Sequence, residues 1–189
     1  MARWEPDARG RLAQAALDLY GENGYERTTV AEIAQRAGLT ERTFFRHFAD
    51  KREVLFAGGH PLQDLIVSAV AGAPDSQAPI DAAAAGLEAA GEQFFVDDHR
   101  DFSRQRQAVI ASNPELQERE LSKLAALSTA IADALRRRGV DDPRATLTSE
   151  VAIAVFRTAF ERWIDERNRH DFAQLVRESL DQLKALTAA

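Results

Sequence analysis

The sequence contains no cysteine and a single methionine among its 189 residues. Without cysteine the chain can form neither disulfide bonds nor thiolate metal sites. No apolar run approaches the roughly 20 residues that a membrane-spanning helix needs, because the alanine-rich stretch from Ala82 is interrupted by Gly86 and Glu88. The first ten residues also lack the apolar core of a signal peptide. These absences predict a cytoplasmic protein with no membrane partner.

The sequence also lacks the signatures of a catalytic or cofactor site. Its four histidines are scattered, and it contains neither a glycine-rich phosphate loop nor a nucleophile elbow. The triplet Asp97-Asp98-His99 could indicate a metal site, but adjacent residues on a helix point in different directions, which favours a helix-end charge cluster. We therefore predict no catalytic residue, no metal and no cofactor.

Strand signals are absent too, since no alternating β-branched run is bounded by a hairpin turn. Nearly every segment instead has the apolar spacing of a helix with one buried face, as residues 12–20 illustrate. The stretch 72–79, which contains proline and glycine, is typical of a linker loop. We predict an all-α fold with a three-helix N-terminal domain, residues 1–50, and a larger helical C-terminal domain, residues 51–189.

Capping signals mark a pair of short helices near the N-terminus. The tetrapeptide Thr29-Val30-Ala31-Glu32 is a capping box, in which the threonine and the glutamate satisfy each other's backbone N–H groups, and the helix it starts should end at Gly38. Thr40 is the N-cap candidate of the next helix. Phe44 and Phe48 lie four residues apart and can anchor that helix to the core from one side. Two short helices joined through a glycine turn predict a helix-turn-helix.

A further helix start is expected after this motif. Asp50 is its cap candidate, and Gly58-Gly59-His60-Pro61 should kink or break the helix, because proline removes a donor and clashes with the preceding turn. The same segment is a candidate hinge, where the part of the chain that contains the helix-turn-helix joins the C-terminal body. A local kink without a regulatory role is the alternative.

The formal net charge of −6 is unevenly distributed along the chain. Residues up to Gly58 carry no net charge, so the whole deficit lies beyond that position. Within the first part, residues 36–52 contain five basic and two acidic side chains, a net charge of +3. An acidic balance argues against a protein that coats nucleic acid indiscriminately, whereas a basic patch on and beside two short helices favours local contact with DNA.

The second short helix divides into an anchored side and a side available for contact. With the two phenylalanines facing the core, the remaining surface carries the contact candidates Glu41, Arg42, Thr43, Phe45 and Arg46. Either arginine could donate two hydrogen bonds to a guanine base. The backbone N–H groups beyond Thr29 and the Lys51 ammonium suit phosphates. Alternatively, the motif is an ordinary packed helical hairpin and the arginines form a solvated face.

A series of motifs covers about the first third of the chain without a gap. In chain order they are Arg11-Leu12, Ala16, Tyr20, Gly24-Tyr25, Thr28-Thr29-Val30, Ile33-Ala34, Ala37-Gly38-Leu39, Thr43-Phe44-Phe45, Phe48, Lys51 and Val54-Leu55. Together they resemble the DNA-binding region of TetR-type transcriptional regulators. The resemblance implies a recognition helix over Thr40–His47, a homodimer, and a larger helical C-terminal domain that binds a small molecule and alters the spacing of the two DNA-binding domains. More loosely, Asn113-Pro114-Glu115-Leu116 and Phe156–Trp163 are similar to a subgroup common in actinobacteria.

The resemblance also implies roles for single residues. Thr43 matches a position that contacts phosphate or a base edge, Lys51 matches the phosphate-binding lysine, and His47 stands where an aromatic residue or histidine donates to phosphate. Phe45 departs from the usual tyrosine, so it should make only apolar contact with sugar or a thymine methyl, and a core position is the alternative. The predicted DNA-binding residues are therefore Thr29, Thr40, Glu41, Arg42, Thr43, Phe45, Arg46, His47 and Lys51.

Aromatic residues at helical spacing mark a candidate ligand region in the C-terminal domain. Phe156, Phe160 and Trp163 follow the i, i+4, i+7 pattern, and Phe102 pairs with Arg106 at i, i+4. An apolar pocket between helices would use such rings, with a few polar side chains that orient the ligand. An ordinary core is the alternative. The predicted ligand-binding residues are Phe95, Phe102, Arg106, Phe156, Phe160 and Trp163.

The last two predicted helices are candidates for a dimer interface. The apolar stripe Phe172–Leu186 is longer than a terminal helix needs, and with Val151–Ile164 it could form a self-complementary surface across a two-fold axis. A helix that simply closes its own domain is the alternative. A two-fold dimer implies half-sites about 34–36 Å apart and a near-palindromic operator.

The combined hypothesis is a ligand-responsive transcriptional repressor that leaves its operator when a small apolar or amphipathic effector binds. Such release requires the effector to bind the two states with different affinity. The alternative is a helix-turn-helix DNA-binding protein whose C-terminal domain binds a protein partner rather than a small molecule.

Overall fold

The computed structural model describes residues 8–57 and 59–187, and all regular elements in these ranges are helical. The all-α prediction is confirmed. Short 3-10 helices lie at Glu53–Phe56 and Asp97–His99. The α-helices of the described ranges are α1 Ala8–Asn23, α2 Val30–Arg36, α3 Glu41–His47, α4 Gly59–Gly72, α5 Pro79–Phe94, α6 Arg100–Ala111, α7 Pro114–Arg137, α8 Asp142–Ile164 and α9 Phe172–Thr187.

Two expectations fall partly outside the described residues. Residues 1–7, which bear on the absence of a signal peptide, are one case, and Gly58 of the candidate hinge is the other. The rest of the hinge segment forms the first turn of α4. Pro61 lies in that turn, where its missing N–H costs little because the first N–H groups of a helix have no partner within it. The predicted interruption is confirmed, since the preceding 3-10 helix ends at Phe56 and α4 begins at Gly59.

Packing divides the described residues into two compact units. The first contains residues 8–57 and 102–120, and the second contains residues 59–101 and 121–187. Both α6 and α7 therefore supply residues to each unit. The predicted domain boundary between residues 50 and 51 stays a prediction, since packing units need not coincide with domain boundaries.

The core of the first unit is built on the buried face of α1. The prediction that the apolar residues of α1 form one buried face is confirmed, because Leu12, Ala16 and Leu19 are each at most 4% exposed. Side chains from α2, α3, the following 3-10 helix, α6 and α7 complete this core. Since helices as short as α2 and α3 are marginal in water by themselves, their stability comes from this packing.

Side-chain caps set the ends of the short helices. Thr29 and Glu32 form the predicted capping box, with the Thr29 N–H donating to the Glu32 carboxylate at 2.8 Å and the Glu32 N–H donating to Thr29 Oγ1 at 3.3 Å. Asp50 accepts from the backbone N–H groups of Arg52 and Glu53 at 2.8 and 3.1 Å. The predicted capping box at Thr29 is therefore confirmed. Asp50 lies just ahead of a 3-10 helix rather than an α-helix, and the N-cap residue of that helix is Arg52, so the prediction of Asp50 as the cap is wrong.

The second unit packs α5 closely against α4 and α9. A Cβ atom added at Gly86 would lie 3.0 Å from the carbonyl oxygen of Ile66 on α4, and one added at Gly91 would lie 3.0 Å from Cδ1 of Phe172 on α9. The alanine-rich sequence of α5 is thus a close-packed helix face. Its buried residues are Ala82, Ala83, Ala84, Gly86, Leu87, Ala90 and Gly91.

The apolar stripe of α9 faces the core of its own unit. Phe172, Leu175, Val176 and Leu180 are 7% exposed or less, because they pack against α5 and α8. This corrects the expectation that the stripe is available to a partner subunit. Leu186, near the helix end, is 80% exposed. Any dimer contact made by α8 and α9 must therefore use their outward faces.

One stretch contradicts the expectation that no run is long and apolar enough to span a membrane. By length and composition alone, Glu53–Gly72 meets that criterion. Its described residues are divided between a 3-10 helix and α4. Phe56 is buried in one core, and Ile66 and Val70 are buried in another. The apolar character of this stretch is therefore used in packing by the side chains that the structure describes.

The close contact between α4 and α5 can be tested with Gly86→Ala. Alanine favours a helix over glycine by about 1 kcal/mol, but the added methyl group would press on the Ile66 carbonyl, which cannot yield unless α4 shifts. We expect the free energy of unfolding, measured by urea denaturation, to fall by about 1–3 kcal/mol.

Gly21→Ala is the matched control. It adds the same methyl group to α1, where no atom lies within 4 Å of the new Cβ. This variant should leave the stability unchanged or raise it by about 1 kcal/mol. Equal effects of the two substitutions would show that the contact between α4 and α5 is looser than described.

Candidate nucleic-acid interface

The helix α3 is held from one side only. Phe44 and Phe48 are 0% and 4% exposed, and their ring centroids lie 5.5 Å apart in the core. Arg42, Phe45 and Arg46 are exposed on the rest of the helix surface, together with Glu41. A recognition helix requires this arrangement, because one face must be fixed to the core while the exposed face enters a groove of the DNA.

The turn between α2 and α3 depends on Gly38. Its φ angle is +66°, a left-handed conformation that costs glycine little. The Gly38 N–H donates to Gln35 O at 3.0 Å and the Leu39 N–H donates to Ala34 O at 2.8 Å, which closes the end of α2. The predicted end of this helix is therefore confirmed, and the turn places α3 directly after it.

The three predicted threonines already serve as helix caps or cap partners. The Thr29 hydroxyl donates to the Glu32 carboxylate at 2.8 Å. Thr40 Oγ1 accepts from the Thr43 backbone N–H at 3.2 Å and lies 3.0 Å from Thr43 Oγ1. Their hydroxyl oxygens fix the two helix starts, and contact with phosphate stays a prediction for all three.

Phe45 lies at the surface rather than in the core. It is 55% exposed and meets the buried Phe44 ring edge-on, with centroids 5.4 Å apart. The core alternative for this residue is therefore wrong. His47 is half-buried, and its Nε2 atom is buried without a hydrogen-bond partner among the described residues. Donation from this nitrogen to a phosphate would require the ring to rotate.

Lys51 has a structural role that the sequence did not indicate. Its ammonium donates to the backbone carbonyls of Tyr25, Thr28 and Glu26 at 2.8, 3.2 and 3.3 Å. It also lies 4.3 Å from the centroid of the Tyr25 ring. Burial raises the pKa of Tyr25 to about 12, so the ring stays neutral near pH 7. All three ammonium protons have acceptors within the protein, which competes with the predicted phosphate contact.

Much of the basic patch is neutralised within the first unit. Arg36 donates to the Glu22 carboxylate at 2.8 and 3.0 Å. Arg52 forms ion pairs with Asp50 at 2.7 Å and with Glu115 at 3.1 Å. Hydrogen bonding from the two arginines holds the pKa values of Glu22 and Asp50 below their ordinary range.

Arg42 and Arg46 remain available for an outside partner. Neither side chain forms a hydrogen bond or ion pair with any residue in the described part of the chain. Both are exposed, and they lie four residues apart on α3. The positive charge of the patch that has no partner among the described residues is therefore concentrated on α3.

The structure brings together four of the six predicted ligand-binding residues. In the second unit the Phe95 ring lies 5.7 Å from Phe156, 5.8 Å from Phe160 and 5.5 Å from Trp163, measured between centroids. Phe172, a residue of the predicted dimer stripe, stacks on Phe95 at 4.3 Å. These five rings, from Phe95, Phe156, Phe160, Trp163 and Phe172, are called the aromatic cluster below.

The other two predicted ligand-binding residues belong to the first unit. Phe102 packs against the core of that unit. Arg106 donates from Nε to Leu55 O at 2.6 Å, lies 3.3 Å from the Glu120 carboxylate, and covers the Phe56 ring at 5.0 Å. Burial lowers the pKa of Arg106, while Glu120 opposes that shift. These contacts show that Arg106 joins α6 to the 3-10 helix and to α7 within the first unit. Sequence spacing alone could not distinguish this structural role from ligand binding.

Two open grooves lie beside α1 in the first unit. Their volumes are about 270 and 440 Å³. The first is lined by residues of the turn after α1 and by the end of α6, and the second by the outward face of α1 and by α6. Neither groove is lined by a predicted DNA-binding or ligand-binding residue.

The triplet Asp97–His99 forms a 3-10 helix with internal partners. Asp97 pairs with Arg100 at 2.6 Å, and His99 Nδ1 lies 3.2 Å from Phe94 O. Within residues 8–57 and 59–187, no group of three or more His, Asp or Glu side chains is arranged to hold a metal ion.

Comparisons with known proteins agree with these features. Residues 12–57 match the family of bacterial regulatory proteins called tetR, and residues 77–188 match the MftR C-terminal domain. MftR of Mycobacterium tuberculosis (strain ATCC 25618 / H37Rv), a transcriptional regulator assigned to mycofactocin biosynthesis, is 27% identical over 165 residues, which cover 83% of this chain and 80% of MftR.

Two further proteins match over different lengths. The transcriptional regulator TcmR of Streptomyces glaucescens is 36% identical over 81 residues, 43% of this chain, and the chain spans only 36% of TcmR. A complex of SmeT with triclosan has a TM-score of 0.65 and 21% identity, with coverage of 95% of this chain and 90% of that one. At this identity the likeness shows the fold alone. SmeT is the repressor of a Stenotrophomonas maltophilia efflux pump, so these matches are to regulators of transcription, not enzymes.

The role of Lys51 can be tested with Lys51→Met, which keeps an unbranched side chain but removes the ammonium. Three carbonyls would lose their donor, so we expect the free energy of unfolding to fall by about 1–2 kcal/mol, measured by urea denaturation followed by circular dichroism. Arg42→Ala should change stability by less than about 0.5 kcal/mol. If Lys51→Met left stability unchanged but abolished DNA binding, the phosphate role would be right and the structural role wrong.

Proposed function

Because the chain belongs to the TetR family of bacterial transcriptional regulators, we propose that it is a ligand-responsive repressor that binds a near-palindromic operator as a homodimer. A small apolar or amphipathic effector releases it from DNA. The observation that carries the DNA-binding part is α3, whose Phe44 and Phe48 are buried while Arg42, Phe45 and Arg46 are exposed. Such a protein acts in the cytoplasm, with double-stranded DNA as its partner and no role for a membrane.

The exposed side chains of α3 are suited to the major groove. Arg42 and Arg46 can each donate two hydrogen bonds to guanine O6 and N7, and Glu41 can accept from the amino group of cytosine. The Phe45 ring can contact a thymine methyl group. Residues at the edges of the motif would position the module on phosphates, and these are Thr29, Thr40, Thr43 and His47.

The charge distribution makes the protein depend on these base contacts. Affinity for DNA of any sequence comes mainly from basic side chains that neutralise phosphates. Here Arg36, Lys51 and Arg52 are engaged within the protein, and the chain as a whole carries −6. We therefore expect weak binding to random DNA and a strong requirement for two recognition helices acting together.

A dimer would supply those two helices. The outward faces of α8 and α9 are the proposed interface, since their inward faces are buried in the core of the second unit. Leu147 on α8 and Leu186 on α9 are 67% and 80% exposed. Two-fold symmetry then requires half-sites about 34–36 Å apart, or one helical turn of DNA.

The C-terminal domain is the proposed effector site. The aromatic cluster is the apolar feature of the second unit that suits a ligand, and SmeT, which shares the fold, forms a complex with triclosan. An effector releases the repressor only if it binds the DNA-free conformation more tightly than the DNA-bound one.

The competing function is a C-terminal domain that binds a protein partner instead of a small molecule. Thermal shift of the purified protein against a panel of apolar metabolites distinguishes the two. Stabilisation by one of them, with loss of operator binding at the same concentration, supports the ligand-responsive repressor. No stabilisation by any of them favours the protein partner.

The operator can be found by selecting fragments of genomic DNA with the purified protein. We expect the recovered fragments to share an inverted repeat with half-sites one helical turn apart. Recovery of fragments without a common sequence would contradict sequence-specific repression. The genes beside the recovered operator then indicate which metabolites to test as effectors.

Arg42→Ala tests base reading on that operator. We expect it to weaken discrimination at one base pair of each half-site by about 1–3 kcal/mol, while binding to random DNA changes little. Fluorescence anisotropy with the operator and with single-base variants measures both. Arg137→Ala, on α7 of the second unit, removes the same charge from an exposed position and should leave discrimination intact. Equal losses on operator and random DNA for Arg42→Ala would contradict the assignment.

Phe45 can be tested through the DNA rather than the protein. Replacing thymine by uracil removes one methyl group, and burial of a methyl-sized group contributes about 0.8 kcal/mol. At the thymine that Phe45 contacts, the replacement should weaken wild-type binding about fourfold and leave Phe45→Ala unaffected. If no thymine in the operator behaves in this way, Phe45 contacts sugar or nothing.

A further inference from the structure

Phe95 is the central ring of the aromatic cluster, and its origin differs from that of the others. Phe156, Phe160 and Trp163 come from α8 and Phe172 comes from α9, whereas Phe95 is the C-cap residue of α5, where the backbone leaves the helix. Its centroid lies between 4.3 and 5.8 Å from those of the other four rings. Phe95 therefore fills, from the end of a helix, a space that is otherwise enclosed by side chains of α8 and α9.

Two buried donors in the same place lack acceptors among the described residues. Trp163 is 0% exposed, and its indole Nε1 has no hydrogen-bond partner. Arg100 covers the Trp163 ring, with Cζ 5.5 Å from the ring centroid, and its buried Nε also has no partner. Buried donors are almost always paired in proteins, so two unpaired donors beside one aromatic cluster require an explanation.

The other nitrogens of Arg100 are fixed by the surrounding chain. Nη1 donates to Asn168 O at 3.1 Å, and Nη2 donates to His170 O at 3.2 Å and to Asp97 at 2.6 Å. The side chain of Arg100 is only 15% exposed. The guanidinium is thus held over Trp163, and among its three nitrogens Nε is the one with no hydrogen-bond partner in the described part of the chain.

We propose that the aromatic cluster is the effector site of the proposed repressor, and that it takes an aryl carbonyl compound. The aromatic ring of the ligand replaces the Phe95 ring among Phe156, Phe160, Trp163 and Phe172. The carbonyl or carboxylate oxygen accepts from Trp163 Nε1 and Arg100 Nε. This inference rests on the proposed ligand response, which it makes specific.

The chemistry of the site selects against other ligands. Stacked and edge-on rings favour a flat aromatic body over an aliphatic chain. A cation could also bind aromatic faces, but the Arg100 guanidinium beside Trp163 would repel it. A plain hydrocarbon would fill the space and leave both donors unpaired. An aromatic ring that carries an acceptor oxygen satisfies the rings and the donors together.

The test uses acetophenone and ethylbenzene, which have nearly the same shape but differ in the carbonyl oxygen. Because the chain has only two tryptophans, Trp4→Phe leaves Trp163 as the sole tryptophan fluorophore, and its emission reports binding to the full-length protein without DNA. We expect acetophenone to bind about tenfold more tightly than ethylbenzene, as expected for one or two added hydrogen bonds. Benzoate, measured beside acetophenone, distinguishes an anionic acceptor from a neutral one.

Two variants separate the ring from the donor. Phe95→Ala removes the occupying ring and should tighten the binding of both compounds at least tenfold while it keeps their ratio, since cavities lined by apolar side chains bind small aromatic molecules. Phe94→Ala, at the neighbouring position, is the matched control and should change neither affinity. Trp163→Phe keeps a ring but removes Nε1, and calorimetry should then show a ratio that falls at least threefold.

Each result bears on the proposal. Equal affinities for acetophenone and ethylbenzene in the wild type would overturn the role of the donors. Absence of binding to both the wild type and a folded Phe95→Ala variant would overturn the site. If acetophenone binds about tenfold more tightly than ethylbenzene but the protein stays bound to operator DNA, the proposed ligand response is wrong and the binding site stands. If another metabolite releases DNA equally from the wild type, Phe95→Ala and Trp163→Phe, the ligand response stands and the aromatic cluster is not its site.

Discussion

Burial of Phe44 and Phe48 is the interaction on which the DNA-binding unit depends. A helix of seven residues is too short to be stable in water by itself, so α3 exists because these two rings fix it to the core built on α1. Since both anchors lie on one face, the opposite face is left to Arg42, Phe45 and Arg46 without further constraint. Stability and recognition are thereby assigned to different sides of the same helix.

Pairing of charges within the first unit then separates the basic residues that have partners in the protein from those that do not. Counted along the chain, Arg36, Lys51 and Arg52 belong to the same positive patch as the arginines of α3. In the structure they hold carboxylates and carbonyls in place, so they contribute to the geometry of the motif, and the phosphate contact of Lys51 stays a prediction. When basic side chains are paired within the protein, fewer of them are left to neutralise phosphates. Binding to DNA of any sequence is then weaker, and base contacts account for more of the affinity.

The features that the sequence predicted well are those set by near neighbours in the chain. The capping box at Thr29, the cap at Thr40 and the glycine turn at Gly38 involve residues within five positions of each other, so local patterns suffice. The partners of Lys51 are carbonyls 23 to 26 positions away. Because every residue has a backbone carbonyl, no residue type in the sequence indicates that such an acceptor lies nearby. The prediction of a dimer interface along the apolar stripe of α9 failed for a related reason. Apolar spacing shows that a helix face is buried, but not whether the surface that buries it belongs to the same subunit.

Along α5 the packing of the second unit changes from close backbone contact to contact between aromatic rings. This change explains why the aromatic cluster can rearrange while its surroundings cannot. At Gly91 the helix approaches α9 so closely that a single methyl group would meet the Phe172 ring. One turn later on the same face, Phe95 stacks on that ring from the end of the helix. Close contact between backbones cannot open without moving a whole helix, whereas one ring at a helix terminus can leave through side-chain rotation and a short change of backbone. The place where the small residues of α5 end is therefore the place where a ligand can enter at the lowest cost in packing.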